Sequence, residues 1–155
     1  MRMLKKKNFL LAAALLMLTV FAPVYAEDGL STHDIFGNRI SLAKRGQWIV
    51  VNYWAAWCSA CISEIPDLNR FAQLAKNANV VFVAVNYDQL PNDMQQLFAK
   101  HYGVNYTLLH DNPWRNYVPE DTITSLPMTY VISPTGQTRE LSGTQTAESI
   151  LQAIS

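Results

Sequence analysis

Asn52-Tyr53-Trp54-Ala55-Ala56-Trp57-Cys58-Ser59-Ala60-Cys61-Ile62-Ser63-Glu64-Ile65-Pro66 is the stretch on which the fold turns. Leading into it, Gln47 to Tyr53, with Trp48-Ile49-Val50-Val51 at its heart, is a continuous apolar run. Runs of that kind are strands buried on both faces. After Cys58 the period changes. Ile62, Ile65, Leu68, Phe71 or Ala72, and Ala75 recur every three or four residues, which predicts an amphipathic helix. Pro66 falls inside that helix and must kink it or end its first part, because proline removes an amide donor and clashes with the preceding turn. Both cysteines of the chain therefore sit where a buried strand hands over to a helix.

Outward from this hinge the chain alternates. His33-Asp34-Ile35-Phe36 and Arg39-Ile40-Ser41-Leu42 flank Gly37-Asn38, which predicts a short hairpin with a tight turn. Val80 to Val85 is a second buried strand. Met94, Leu97, Phe98 and His101 lie at i, i+3, i+4 and i+7 of a helix introduced by Pro91 and stopped by Gly103. Thr107 to His110 can form another strand. Residues 111–125 have no clear period and carry Trp114, Tyr117 and Pro119; loops of this length in compact domains are often functional. Trp114 and Tyr117 read as loop anchors, with lining of a substrate groove as the alternative. Met128 to Ser133 and Gln137 to Ser142 flank Pro134-Thr135-Gly136 as a hairpin, and Ala147, Ile150, Leu151 and Ile154 close the chain with a helix. This order argues for an α/β sandwich around a mixed sheet. Strands separated by helices run parallel, and the last two pair antiparallel.

The N-terminus bears on the redox compartment. Arg2, Lys5, Lys6 and Lys7 precede an apolar run from Phe9 to Phe21, broken only by Thr19. Pro23 and Val24-Tyr25-Ala26 follow, with small residues where a signal peptidase reads. This is the layout of a secretory signal over residues 1–26, cleaved after Ala26. An uncleaved anchor is the alternative, although the run of 13 residues falls short of the roughly 20 that span a bilayer. Residues 27–155 then form one domain, located in the periplasm. Without the leader, eight basic residues stand against twelve acidic ones, a net charge of −4. No basic patch points to a nucleic-acid partner.

Two cysteines three apart close a loop too small to constrain the unfolded chain, so their presence has a chemical reason. At a helix N-terminus unpaired amides and the helix dipole favour negative charge. Cys58 is therefore expected to be partly ionised, with Cys61 one turn further in and more buried. The Cys58 thiolate can attack a disulfide, and Cys61 can then displace the product thiol. The pair could also be half a zinc site, but zinc takes about four ligands, and His33, His101 and His110 lie far off without ligand spacing. No metal and no cofactor are expected.

Asn52 to Cys61 resembles the active-site signature of the thioredoxin superfamily. Ile62-Ser63-Glu64-Ile65-Pro66 is similar to the exported TlpA/ResA/DsbE branch of it, and Ser125-Leu126-Pro127-Met128-Thr129-Tyr130 resembles that branch's cis-proline segment. The resemblance covers most of residues 30–155. It implies a thioredoxin-like three-layer α/β/α sandwich with a mixed central sheet and an N-terminal β-hairpin extension. It implies that Pro127 is cis and packs opposite the dithiol, presenting the backbone of Leu126 to a substrate segment. It also makes Glu64 the active-site glutamate, able to exchange a proton with the thiols; a solvated helix-face carboxylate is the alternative. Trp57 is expected to pack beside the dithiol, exclude water and offer a flat contact surface, unless it merely fills the core; Trp54 is assigned to the core. The chain departs from thioredoxin itself at Asn52, where a titratable aspartate would stand, and Asn52 reads as a structural polar group. Ser59-Ala60 lacks the proline of the reducing thioredoxins. In peroxide-reducing relatives of this fold a Thr or Ser stands three residues before the reactive cysteine; here that residue is Ala55.

These features imply a protein-disulfide oxidoreductase that reduces disulfides of envelope proteins, for example during cytochrome c maturation. Its partners are protein thiols and disulfides, and a membrane electron donor, since no nicotinamide motif is present. The alternatives are a disulfide-forming oxidant, for whose large helical insertion the interval from Val85 to Pro127 is too short, and a redox-inactive client-binding module.

Overall fold

The computed structural model describes residues 31–42, 46–114 and 123–155. The leader, its cleavage point, Tyr117 and Pro119 lie outside the described residues. The elements in order are β1 (Ser31–His33), β2 (Arg39–Ser41), β3 (Trp48–Trp54), α1 (Ser59–Ser63), α2 (Ile65–Ala75), β4 (Val80–Asn86), α3 (Asn92–Tyr102), β5 (Thr107–Leu109), β6 (Met128–Ile132), β7 (Thr138–Ser142) and α4 (Ala147–Ala153). β1 and β2 pair antiparallel as a separate hairpin, and the other five strands form one sheet in the order β5-β4-β3-β6-β7. β3 runs parallel to β4 and antiparallel to β6, β4 runs parallel to β5, and β6 pairs antiparallel with β7. The mixed thioredoxin-like sheet and the N-terminal hairpin are as the sequence implies.

The apolar run of β3 is buried because both faces of the sheet are covered. Val50, Phe82 and Val131 pack against Leu68, Phe71 and Ala75 of α2 and Ala147, Ile150 and Ala153 of α4. Val51, Tyr53, Val83, Val85, Met128 and Tyr130 form the opposite face, closed among the described residues by Leu42, Trp114 and Ile123. Trp114 is thus a buried loop anchor. Pro66 divides the predicted helix: α1 ends at Ser63, Glu64 is the junction, and α2 begins with the proline in its first turn. That position tolerates proline because its missing amide would have no partner there.

Two local expectations are corrected. The β1–β2 connection is not a two-residue Gly-Asn turn. Asp34 Oδ1 accepts from the amides of Phe36 (2.9 Å) and Asn38 (2.8 Å), and Oδ2 accepts from Asn38 Nδ2 (2.9 Å), so the loop spans Asp34–Asn38. This turns Ile35 inward, where its amide donates to the Leu108 carbonyl. In α3 the inward stripe is Gln95, Phe98 and Ala99, rotated from the expected one. Gln95 is buried, whereas Met94 and Leu97 are 50% and 62% exposed. The reason is Phe98, which stacks on Trp54 at 4.4 Å and on Tyr102 at 4.6 Å between ring centres and so sets the helix's rotation.

Candidate active site

β3 ends at Trp54, and four residues later Cys58 takes an extended conformation (φ −86°, ψ 101°) as the N-cap of α1. An extended N-cap turns its side chain back over the first amides of the helix. Here the cap is a sulfur: Cys58 Sγ accepts from the Cys61 amide at 3.1 Å. The two cysteines form a disulfide, with Cα atoms 5.2 Å apart. Both are buried, Cys58 at 6% exposure and Cys61 at 3%. They sit in a cluster with Ile35, Trp54, Ala55, Ala84 and Leu108, against which Leu126 and Phe98 also pack. These side chains, not Trp57, keep water from the sulfurs. Trp57 is 70% exposed, so neither core filling nor a water-excluding position describes it; its ring is an open flat face beside the dithiol in sequence.

The register of β3 on β6 pairs Tyr53 with Met128. It brings Leu126-Pro127 to the end of the sheet from which the chain leaves for Cys58. The Leu126–Pro127 bond is cis. The Pro127 carbonyl accepts from the Gly143 amide at 2.9 Å, which ties this segment to the turn before α4.

Glu64 is not a solvated helix-face carboxylate. At the junction of α1 and α2 its side chain turns inward and is wholly buried. Oε1 accepts from Asn52 Nδ2 at 2.9 Å, and Oε2 accepts from the Gln145 amide at 2.8 Å. Burial pushes the carboxyl up from its ordinary 4.5 to about 7; the Gln145 and Asn52 donors oppose the rise, and the charge of Asp67 adds to it. Asn52 faces Thr129 directly across the β3–β6 pair, and opposed residues of antiparallel strands present side chains on one face. Its Nδ2 accordingly donates to Thr129 Oγ1 at 3.1 Å as well. Thr129 and Gln145 escaped the sequence reading. They stand 77 residues from Asn52 and 81 from Glu64 respectively, and no periodicity reports such a distance. Among the described residues no three His, Cys, Asp or Glu side chains gather as a metal site.

A parallel βαβ core, a dithiol capping the helix after the central strand, and a cis-proline at the neighbouring strand define a thioredoxin-like dithiol protein. Residues 27–141 match the AhpC/TSA family, and the chain belongs to it. Within that family it has the buried, hydroxyl-free Ala55 three residues before Cys58. It is 31% identical over 119 residues to the thiol-disulfide oxidoreductase ResA of Bacillus subtilis, covering 76% of this chain and 65% of that one. The ResA protein of Geobacillus kaustophilus is 28% identical over 130 residues, covering 83% of this chain and 71% of the relative. Among solved structures, StoA of Bacillus subtilis superposes with a TM-score of 0.66 at 22% identity, covering 79% of this chain and 92% of that one.

Proposed function

We propose that this chain is an exported thiol–disulfide oxidoreductase that reduces protein disulfides in the periplasm. The observation that carries the reading is the sulfur cap: Cys58 Sγ at a helix start, bonded to the Cys61 amide, in a place that favours a thiolate. The similarity to the ResA oxidoreductases supports the same reaction.

In the reduced protein the Cys58 thiolate attacks a client disulfide. A Cys58–client bond forms, the client S–S bond breaks, and the first client thiolate leaves and takes up a proton. Cys61, buried, loses its thiol proton to Glu64 one turn on, whose carboxyl is held near neutral pH. The Cys61 sulfur then attacks Cys58 Sγ, releasing the second client thiolate and closing the Cys58–Cys61 disulfide. Two electrons have passed from the dithiol to the client. A membrane dithiol donor returns them, because the chain carries no nicotinamide motif. Trp57 offers the client a flat aromatic surface, and the backbone of Leu126, before Pro127, offers it hydrogen-bonding groups. Clients are proteins with cysteines needed in reduced form, the haem-binding pair of apocytochromes among them.

Trapping with Cys61→Ser in the envelope tests this. Mixed disulfides through Cys58 to a small set of clients are the expected result. No captured client, or a dithiol potential against glutathione at the oxidising end near about −120 mV, would remove the reductase reading.

A further inference from the structure

The hydrogen bonds that hold Glu64 through Asn52 and Gln145 are both donated to it. That arrangement suits the ionised carboxylate. A proton placed on either bonded lone pair would face an N–H and lose a bond. The Gln145 donor is a backbone amide and cannot change role, whereas a side-chain amide has a donor end and an acceptor end. Asn52 Oδ1 is buried with no hydrogen-bond partner among the described residues. The other partner of the Asn52 amide, Thr129 Oγ1, is a hydroxyl that can donate as readily as accept.

We propose that Asn52 is the positioning residue of Glu64 in both protonation states, turning its amide half a revolution when the carboxyl takes up a proton and so reversing its bonds to Glu64 and Thr129. In the ionised state Nδ2 donates to Glu64 Oε1 and Thr129 Oγ1. In the protonated state Oδ1 stands in its place and accepts from the Glu64 O–H and the Thr129 O–H. The number of hydrogen bonds is the same before and after, and one end of the amide is unpartnered in each. During the reaction the proton comes from the Cys61 thiol, in the oxidised protein it comes from solvent, and in neither case does an electron move with it. The inference rests on the reading of Glu64 as the proton acceptor for Cys61.

Other ionisable groups face Glu64. Asp67 on α2 adds negative charge. The phenol of Tyr106, just before β5, is driven upward by burial and by the charge of Glu64, and so stays protonated throughout. The two cysteines on the α1 side do not titrate while they are joined as a disulfide.

The test is an NMR titration of the oxidised wild-type protein, which carries no folding risk. Glu64 is followed by its side-chain carboxyl carbon and Asn52 by its side-chain amide group. Both Asn52 amide protons are expected to move upfield together as pH falls through the Glu64 midpoint, since both lose their acceptors, and Glu64→Gln should abolish the movement. Asn52→Leu removes a charge-assisted bond from the ionised state and a weaker neutral one from the protonated state, so the Glu64 midpoint is expected to shift upward. A titrating Glu64 with only one Asn52 proton responding, or neither, overturns the amide reversal alone. A Glu64 carboxyl that does not titrate between about pH 5 and 9 overturns this inference and the proton-acceptor role with it.

Discussion

Glu64→Gln removes a buried ionisation whose cost can be worked from the structure. Burial raises the Glu64 carboxyl from 4.5 to about 7 despite the Gln145 and Asn52 donors. A folded-state pKa above the unfolded value means that the folded protein holds the proton more tightly. The associated stability is complete below pH 4.5 and is lost as pH rises through about 7. At about 1.36 kcal/mol per unit, that rise amounts to about 3 kcal/mol. Urea unfolding of oxidised wild type and Glu64→Gln, at a series of pH values spanning this window, isolates the contribution in the difference between the two. The fixed cost of the amide in place of the acid cancels in the slope. The variant is expected to gain about 3 kcal/mol relative to wild type across the window. Repeating the pair in an Asp67→Asn background removes the contribution of the neighbouring carboxylate. A difference that stays flat, or a wild type that gains on the variant as pH rises, would refute the reasoning, because either result means that the charged form is not penalised.

Alkylation of reduced Cys61→Ser across pH is expected to give a Cys58 midpoint below the roughly 8.5 of a free thiol, since its sulfur caps a helix start; a midpoint at the free value counts against the thiolate. Phe71→Ala, on the buried face of α2 against Phe82 of β4, is expected to cost about 3–5 kcal/mol in urea unfolding, and a loss under about 1 kcal/mol would mean that the α2 interface is misdescribed. Trp57→Ala, at a 70% exposed site, is expected to change stability by no more than about 0.5 kcal/mol. The same change should slow reduction of a protein disulfide while leaving a small disulfide untouched. Equal rates on both would remove Trp57 from the contact surface.

Most of the fold is legible because it depends on local patterns. The apolar runs of β3 and β4 are buried on both faces, so they announce themselves without alternation. The break at Glu64 follows from Pro66, and the end of α3 from Gly103 in a left-handed conformation. The differences come where a side-chain contact, local in one case and tertiary in the other, overrides such patterns. Asp34 captures the amides of its own loop and lengthens the first turn. The stack of Phe98 on Trp54 rotates α3 away from its most apolar stripe, which leaves Leu97 and Met94 in solvent and buries Gln95. A hydrophobic period identifies a helix here but does not say which residue beneath it decides its rotation.

The dithiol and its glutamate divide in the same way. Cys58, Cys61 and Glu64 lie within seven residues, and the proposed attack and resolution can be read from their spacing. Burial raises the Glu64 carboxyl toward neutral pH, and the hydrogen bonds that limit the rise are assembled from distant places: Asn52 on β3, held by Thr129 opposite it on β6, and the Gln145 amide in the turn before α4. Each of these residues alone is an ordinary strand or turn polar group. Their joint effect exists only because β3 and β6 pair in one register and because the β7–α4 turn reaches both Glu64 and the Pro127 carbonyl. A shift of that register by one residue would send Asn52 to the opposite face of the sheet. It would leave the Glu64 carboxylate buried with one donor where it now has two. The affinity of Glu64 for a proton is therefore set by strand pairing as well as by burial.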